Sequence, residues 1–129
     1  MKKILFVCVH NAGRSRMAEA FFNHFARGKA LAFSAGTRPE PVISPRTVKL
    51  MREVGIELDG HKPKLLTPEM LAEADRVITM GCAVEDACPA STVPTEDWGL
   101  GNPKDRPLAE ARKIRDKIKE KVLELIEEL

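Results

Sequence analysis

The apolar positions begin as a block. Lys3 to Val7 runs Lys-Ile-Leu-Phe-Val with no alternation, which predicts a short strand buried on both faces of a parallel sheet. A glycine-containing turn, His10 to Gly13, follows it. From Ser15 onward the spacing of Met17, Ala20, Phe21, Phe22 and Phe25 predicts a helix with one apolar face that ends near Gly28. Ala30 to Ser34 predicts a second strand. Ser44-Pro45 is a helix start, with serine as cap and proline at the first helical position, and Val48, Leu50, Met51 and Val54 precede a stop at Gly55. Thr67-Pro68 repeats the device. Asp75 to Thr79 predicts a third strand and Thr92 to Thr95 a short fourth. From Leu108 to the end, Ile114, Ile118, Val122, Leu125 and Leu129 form one stripe on a long helix.

Strands alternating with helices at this pitch predict an α/β fold: an open parallel sheet covered by helices on both faces, with ligands bound beyond the carboxyl ends of the strands. Neither an internal repeat nor a linker divides the chain, and 129 residues suit one domain, 1–129. Composition narrows the partners. The net charge of +2, with basic and acidic residues interleaved, offers nucleic acid or an anionic membrane little to grip. Met1-Lys2-Lys3 and the apolar run behind it imitate an export signal, but the run stops at His10-Asn11 without a small-residue cleavage site. No segment approaches the ~18 apolar residues of a membrane span. A soluble protein of the reducing cytoplasm is expected. There the three cysteines, Cys8, Cys82 and Cys88, point to catalysis, metal binding or plain burial instead of a disulfide framework.

Cys8-Val9-His10-Asn11-Ala12-Gly13-Arg14-Ser15 places a thiol at the end of a strand, five residues of turn, and then Arg and Ser opening a helix. A tight turn into a helix N-terminus aims successive backbone N–H groups at one centre, and the helix dipole adds positive charge there. The N–H groups of Val9 through Ser15 are therefore the candidate oxyanion cradle, which Arg14 closes with a planar fork matched to two oxygens. The same field favours a thiolate at Cys8, and Ser15 can donate to its sulfur. Asn11 serves either through local hydrogen bonds or by accepting a left-handed conformation, which Gly13 can also do. Neither a Gly-x-Gly-x-x-Gly loop nor a Walker loop competes. His10, His24 and His61 have no metal-ligand spacing, and zinc would need ligands beyond Cys82 and Cys88, so no metal is expected.

Cys-x5-Arg-Ser after an N-terminal strand resembles the active-site loop of the low-molecular-weight tyrosine phosphatase fold. Within that fold the run from Cys8 to Ala20 is similar to the thioredoxin-linked arsenate reductases, as are Ser34-Ala-Gly36, Thr79-Met-Gly-Cys82 and Asp97-Trp98-Gly99. The resemblance implies a three-layer α/β/α domain with a four-stranded parallel sheet in the order 2-1-3-4. It also implies an arsenate reductase that acts as a monomer, takes phosphate or sulfate as mimics of arsenate, and holds no tight cofactor. Catalysis would fall to Cys8, Arg14, Ser15, Cys82 and Cys88, with thioredoxin supplying the reducing equivalents. Cys82 would expel arsenite from a Cys8 adduct, and Cys88 would resolve the Cys8–Cys82 disulfide. A Cys82–Cys88 bridge requires α-carbons about 4.4–6.8 Å apart, whereas residues six apart in a regular helix lie roughly 9 Å apart, so the segment between them must not be a regular helix.

Two departures qualify the likeness. Where relatives carry an Asp-Pro whose acid protonates the leaving group, this chain has Asn102-Pro103, with Asp105 three residues on; an amide is no such acid. Lys64 stands near a position where some relatives place an acid in an alkali-cation site with Asn11, Glu19 and Ser34, so no bound cation is expected. The chain has no Tyr, and Trp98 alone is available to line an aromatic cleft or simply to pack. A tyrosine phosphatase working through a Cys8 phosphocysteine is the alternative activity. A thiol-based sensor that binds arsenite or a soft metal without turnover is the non-enzymatic one.

Overall fold

The computed structural model describes residues 1–58, 62–81, 95–101, 103 and 106–129. Among these residues four strands and four helices follow in the order β1 (Lys2–Cys8), α1 (Arg14–Ala26), β2 (Ala30–Gly36), α2 (Pro45–Arg52), α3 (Pro68–Glu73), β3 (Arg76–Thr79), β4 (Thr95–Asp97) and α4 (Leu108–Glu128). The strands form one sheet in the order β2-β1-β3-β4, and every pairing is parallel. Sequence and structure agree on this architecture.

The unbroken apolar run of β1 is explained by its central place. Ile4, Leu5, Phe6 and Val7 are all fully buried. Ile4, Phe6 and Cys8 face a core shared with Met17, Phe21 and Phe22 of α1 and with Ile118 and Val122 of α4. Leu5 and Val7 face the opposite side, where Ala35, Ala74 and Val77 lie beneath Met70 and Leu71 of α3. Burying both faces of a strand is what makes it apolar throughout. Among the described residues no helix is long and apolar enough to cross a membrane.

Several boundaries differ from the sequence expectation. Among the described residues the fourth strand is Thr95–Asp97, which the expected Thr92 to Thr95 meets at Thr95, residues 92–94 lying outside the described residues; its three residues are polar and exposed, so this edge strand left no apolar trace. Ser44 precedes α2, but its side chain caps nothing, whereas Thr67 does accept from the Met70 N–H at the start of α3. On α2 the buried residues are Thr47, Leu50 and Met51, with Val48 only half-buried. On α4 the stripe is Ala111, Arg115, Ile118, Val122 and Leu125, while Leu129 is exposed.

Candidate active site

Parallel pairing brings the carboxyl ends of all four strands to one edge, where Cys8 lies opposite Gly36, Val7 opposite Thr79 and Thr79 opposite Asp97. The loop from Cys8 to Arg14 rises from that edge. Its carbonyls are engaged outward, one after another: Cys8 O accepts from Thr37 N (3.3 Å), Val9 O from Arg38 N (2.8 Å), His10 O from Glu40 N (3.0 Å) and Ala12 O from Ser44 N (3.3 Å). Gly13 O accepts from Met17 N at 2.9 Å, opening α1. In a trans peptide the next residue's N–H points opposite to the carbonyl. The outward carbonyls thus turn the N–H groups of Val9, His10, Asn11 and Gly13 toward the inside of the loop. The first turn of α1 adds N–H groups with no carbonyl one helical turn back to accept them.

Cys8 Sγ, on a residue 3 % exposed, lies at the foot of this hollow. It accepts from Asn11 N at 3.3 Å and is 2.9 Å from Ser15 Oγ. The direction of the second bond follows from its neighbours. The Lys64 N–H, which can only donate, is 2.9 Å from Asn11 Oδ1, so the Asn11 amide presents its Nδ2 to Ser15 Oγ (2.8 Å) and Ser34 Oγ (3.0 Å). Ser15 Oγ accepts that N–H and keeps its own proton for the sulfur. Ser34 donates onward to Glu19 Oε1 at 2.6 Å. The Cys8 sulfur thus receives one N–H and one O–H at the foot of the loop.

Asn11 is the loop residue with positive φ, at 50°, while Gly13 has φ of −140°; the left-handed turn falls on the asparagine. Lys64 joins the site through its backbone, since its carbonyl also accepts from Gly36 N at 2.8 Å. Gly36 itself is required by proximity: a β-carbon there would lie 2.6 Å from Val9 O and 2.9 Å from Asn11 N.

Arg14 is nearly buried, and its Nη1 donates to Met80 O (2.5 Å) and Leu100 O (2.8 Å). The guanidinium thereby ties α1 to the chain leaving β3 and to the chain leaving β4. Gly81, with φ of +93°, threads between them, and a β-carbon there would lie 2.3 Å from Leu100 O. Asp97 Oδ1 fixes this turn by accepting from Thr79 Oγ1 (2.7 Å) and Gly81 N (2.8 Å).

The structure thus brings together Cys8, Val9, His10, Asn11, Ala12, Gly13, Arg14 and Ser15. Cys82, Cys88, Asn102, Asp105 and His61 lie outside the described residues. His10 sits on the rim, with Nδ1 3.2 Å from Arg38 O. Beside it a cavity of about 240 Å³ runs between the outer side of the loop, Val42, the first turn of α2 and Pro103. Trp98 is a packing residue, its ring 5.5 Å from that of Phe6 and its Nε1 donating to Glu96 Oε2. No group of His, Cys, Asp and Glu among the described residues is arranged to hold a metal ion. Sequence reasoning missed Thr47, which donates to Ala12 O at 2.8 Å; nothing local marks a threonine on an amphipathic helix as a partner of a distant loop.

This geometry finds its counterpart among known proteins. The family described as low molecular weight phosphotyrosine protein phosphatase matches residues 3–129. The chain belongs to that family. Arsenate reductase 1 of Staphylococcus epidermidis is 36% identical over 121 residues, covering 92% of this chain and 90% of that protein. A thioredoxin-dependent arsenate reductase of Corynebacterium glutamicum superposes with a TM-score of 0.83 at 34% identity, over 99% of this chain and 61% of that longer one. A low molecular weight protein tyrosine phosphatase of T. tengcongensis superposes with a TM-score of 0.85 at 28% identity, over 100% of both chains. The two activities share one scaffold, so chemistry beyond the loop has to separate them.

Proposed function

We propose that this family member reduces arsenate to arsenite, with Cys8 as the nucleophile. The observation that carries the reading is the sulfur of Cys8 receiving Asn11 N–H and Ser15 O–H beneath a loop in which the carbonyls of Cys8, Val9, His10 and Ala12 are bonded outward. Arsenate binds to the inward N–H groups of Val9 through Ser15. Arg14, with Nη1 committed to Met80 and Leu100, offers its Nε and Nη2 edge to two oxygens. The thiolate attacks arsenic, and water leaves with protons that arsenate itself carries, since Asn102 supplies none. Cys82 then attacks Cys8 Sγ. The S–As bond breaks, its electron pair stays on arsenic, and arsenite departs as the Cys8–Cys82 disulfide forms. Cys88 attacks Cys82, frees Cys8, and leaves a Cys82–Cys88 disulfide that a thioredoxin dithiol reduces.

On this reading the protein works as a cytoplasmic monomer without a tightly bound cofactor, taking electrons from thioredoxin. What supports reductase over phosphatase is the sequence beyond Gly81: a phosphatase needs one thiol, and Cys82 follows directly on the turn that Arg14 and Asp97 hold against the loop. Single-turnover arsenite release is expected from the wild type, none from Cys8→Ser, and one turnover only from Cys88→Ser. Mass mapping should find the Cys82–Cys88 bridge. Release that survives Cys8→Ser removes Cys8 from the mechanism. Efficient hydrolysis of an aryl phosphate by Cys82→Ser, with no arsenate-dependent oxidation of thioredoxin by the wild type, makes the protein a phosphatase.

A further inference from the structure

Thr47 is a buried polar residue, 3 % exposed, on an element that contributes no group to the hollow. Its Oγ1 donates to Ala12 O at 2.8 Å, and Ser44 N donates to the same oxygen at 3.3 Å. The other outward carbonyls of Cys8, Val9 and His10 each take a backbone N–H from the strand-side segment 37–40. Ala12 O is the one held by a side chain, and both of its donors come from the start of α2.

The peptide so held is the one that most needs holding. It joins Ala12 to Gly13, and a glycine accepts φ of either sign, so rotation of this peptide meets the least steric resistance in the loop. Rotation would withdraw the Gly13 N–H from the hollow and turn a carbonyl oxygen toward a bound anion. Two donors on Ala12 O oppose that rotation whether or not an anion is present, which is preorganisation in the sense that favours oxyanion binding.

We propose that the first turn of α2 clamps the oxyanion loop, with Thr47 as the positioning residue that keeps the Gly13 N–H aimed at the bound ion. The proposal rests on the reading that the Cys8 loop binds a tetrahedral oxyanion, and it adds α2 to that site. Thr47 touches neither the ion nor the sulfur. Removing its hydroxyl should therefore alter anion affinity without altering the environment of Cys8, whose sulfur is held by Asn11 N and Ser15 Oγ.

The test is titration of the full chain with inorganic sulfate, alongside iodoacetamide alkylation of Cys8 with no oxyanion present. Thr47→Val keeps the shape and removes one hydrogen bond, so sulfate should bind about fivefold more weakly while alkylation stays within about twofold of wild type. Thr47→Ser should restore binding. Sulfate affinity in Thr47→Val equal to that of the wild type overturns the clamp, and so does a loss in Thr47→Ser as large as in Thr47→Val. If Thr47→Val does not fold, Thr47→Ala against Thr47→Ser makes the same comparison. A wild type that binds no sulfate overturns the oxyanion reading itself and the clamp with it, an outcome distinct from a change confined to the variants.

Discussion

Asn11 does three things with one side chain and one dihedral angle. Its left-handed φ of 50° turns the loop, a conformation asparagine tolerates better than most residues. Its Oδ1 accepts the Lys64 N–H, and that bond orients the amide so that Nδ2 serves Ser15 and Ser34. Ser15 is left with a proton for Cys8. Ser15→Ala deletes that donor, and a hydrogen bond to a charged acceptor contributes about 1.5–3 kcal/mol, of which 1.4 is a factor of ten. Alkylation of Cys8 by iodoacetamide at pH 7 should slow by about tenfold in Ser15→Ala and recover in Ser15→Thr; an unchanged rate in Ser15→Ala would detach the hydroxyl from the sulfur. Cys8, Arg14 and Ser15 were legible in the sequence because their spacing is local, set by one turn into one helix. The resemblance put Lys64 near Asn11, but its backbone bond to the loop was not legible, and neither was the part played by Thr47. Each meets the loop across more than thirty residues of chain, and each does so through a group that no local pattern distinguishes: a backbone N–H in one case and a hydroxyl on an amphipathic helix in the other.

Among the elements, the glycines at strand and helix ends separate two kinds of constraint. Gly36 ends β2 with Val9 O and Asn11 N so near that a methyl group would meet backbone, which cannot move aside without moving the loop. Gly55, past the end of α2, has open space around it but a φ of +81°. Gly36→Ala should cost about 2 kcal/mol or more by overpacking and should also weaken sulfate binding, because the loop must shift. Gly55→Ala should cost about 1 kcal/mol by left-handed strain and leave sulfate binding alone. Urea unfolding and sulfate titration of the two variants check the contrast; equal losses of binding would mean that Gly36 is merely a stability residue. The sequence announced the central elements for the same reason that Gly36 is crowded: β1 is buried on both faces, and burial writes itself as an apolar run. β4 has three exposed residues and pairs on one side with β3, and the side-chain bonds that help to place it, Asp97 to Thr79 and Gly81 and Glu96 to Arg76, are polar and leave no apolar run to read.

For the molecule as a whole, α2 and α4 are joined by a cluster whose charge sets an acid limit. Glu53, at the carboxyl end of α2, accepts from Arg112 Nε (3.0 Å) and Nη2 (2.8 Å) and from Arg115 Nη1 (2.7 Å). Arg115, buried on the inner stripe of α4, also donates to Leu50 O at 3.1 Å, so the carboxylate and the helix end are held together. The hydrogen bond from Arg112, aided by Arg115 and opposed by desolvation, lowers the Glu53 carboxyl from 4.5 to about 2. The same bond raises Arg112. The sign of the pH dependence follows. Above about 4.5 the carboxyl is ionised in folded and unfolded chains alike, and its full contribution is present. Between 4.5 and about 2 the unfolded chain takes up a proton that the folded chain refuses, so stability falls as pH falls; below about 2 both are protonated and the contribution is gone. Glu53→Gln lacks the titrating group. The gap in Tm between wild type and Glu53→Gln should be widest at pH 5 to 7 and should close steadily from pH 4.5 toward pH 2, while a gap that stays constant over that interval would mean the cluster contributes packing and no charge. Because α2 carries both Glu53 and the Thr47 bond to the loop, the same acid titration monitored by sulfate binding asks whether loosening one end of the helix is felt at the other. Should the clamp act through a rigid α2, sulfate affinity in Glu53→Gln at pH 7 would drop toward that of Thr47→Val, and affinity equal to wild type would confine the cluster to stability.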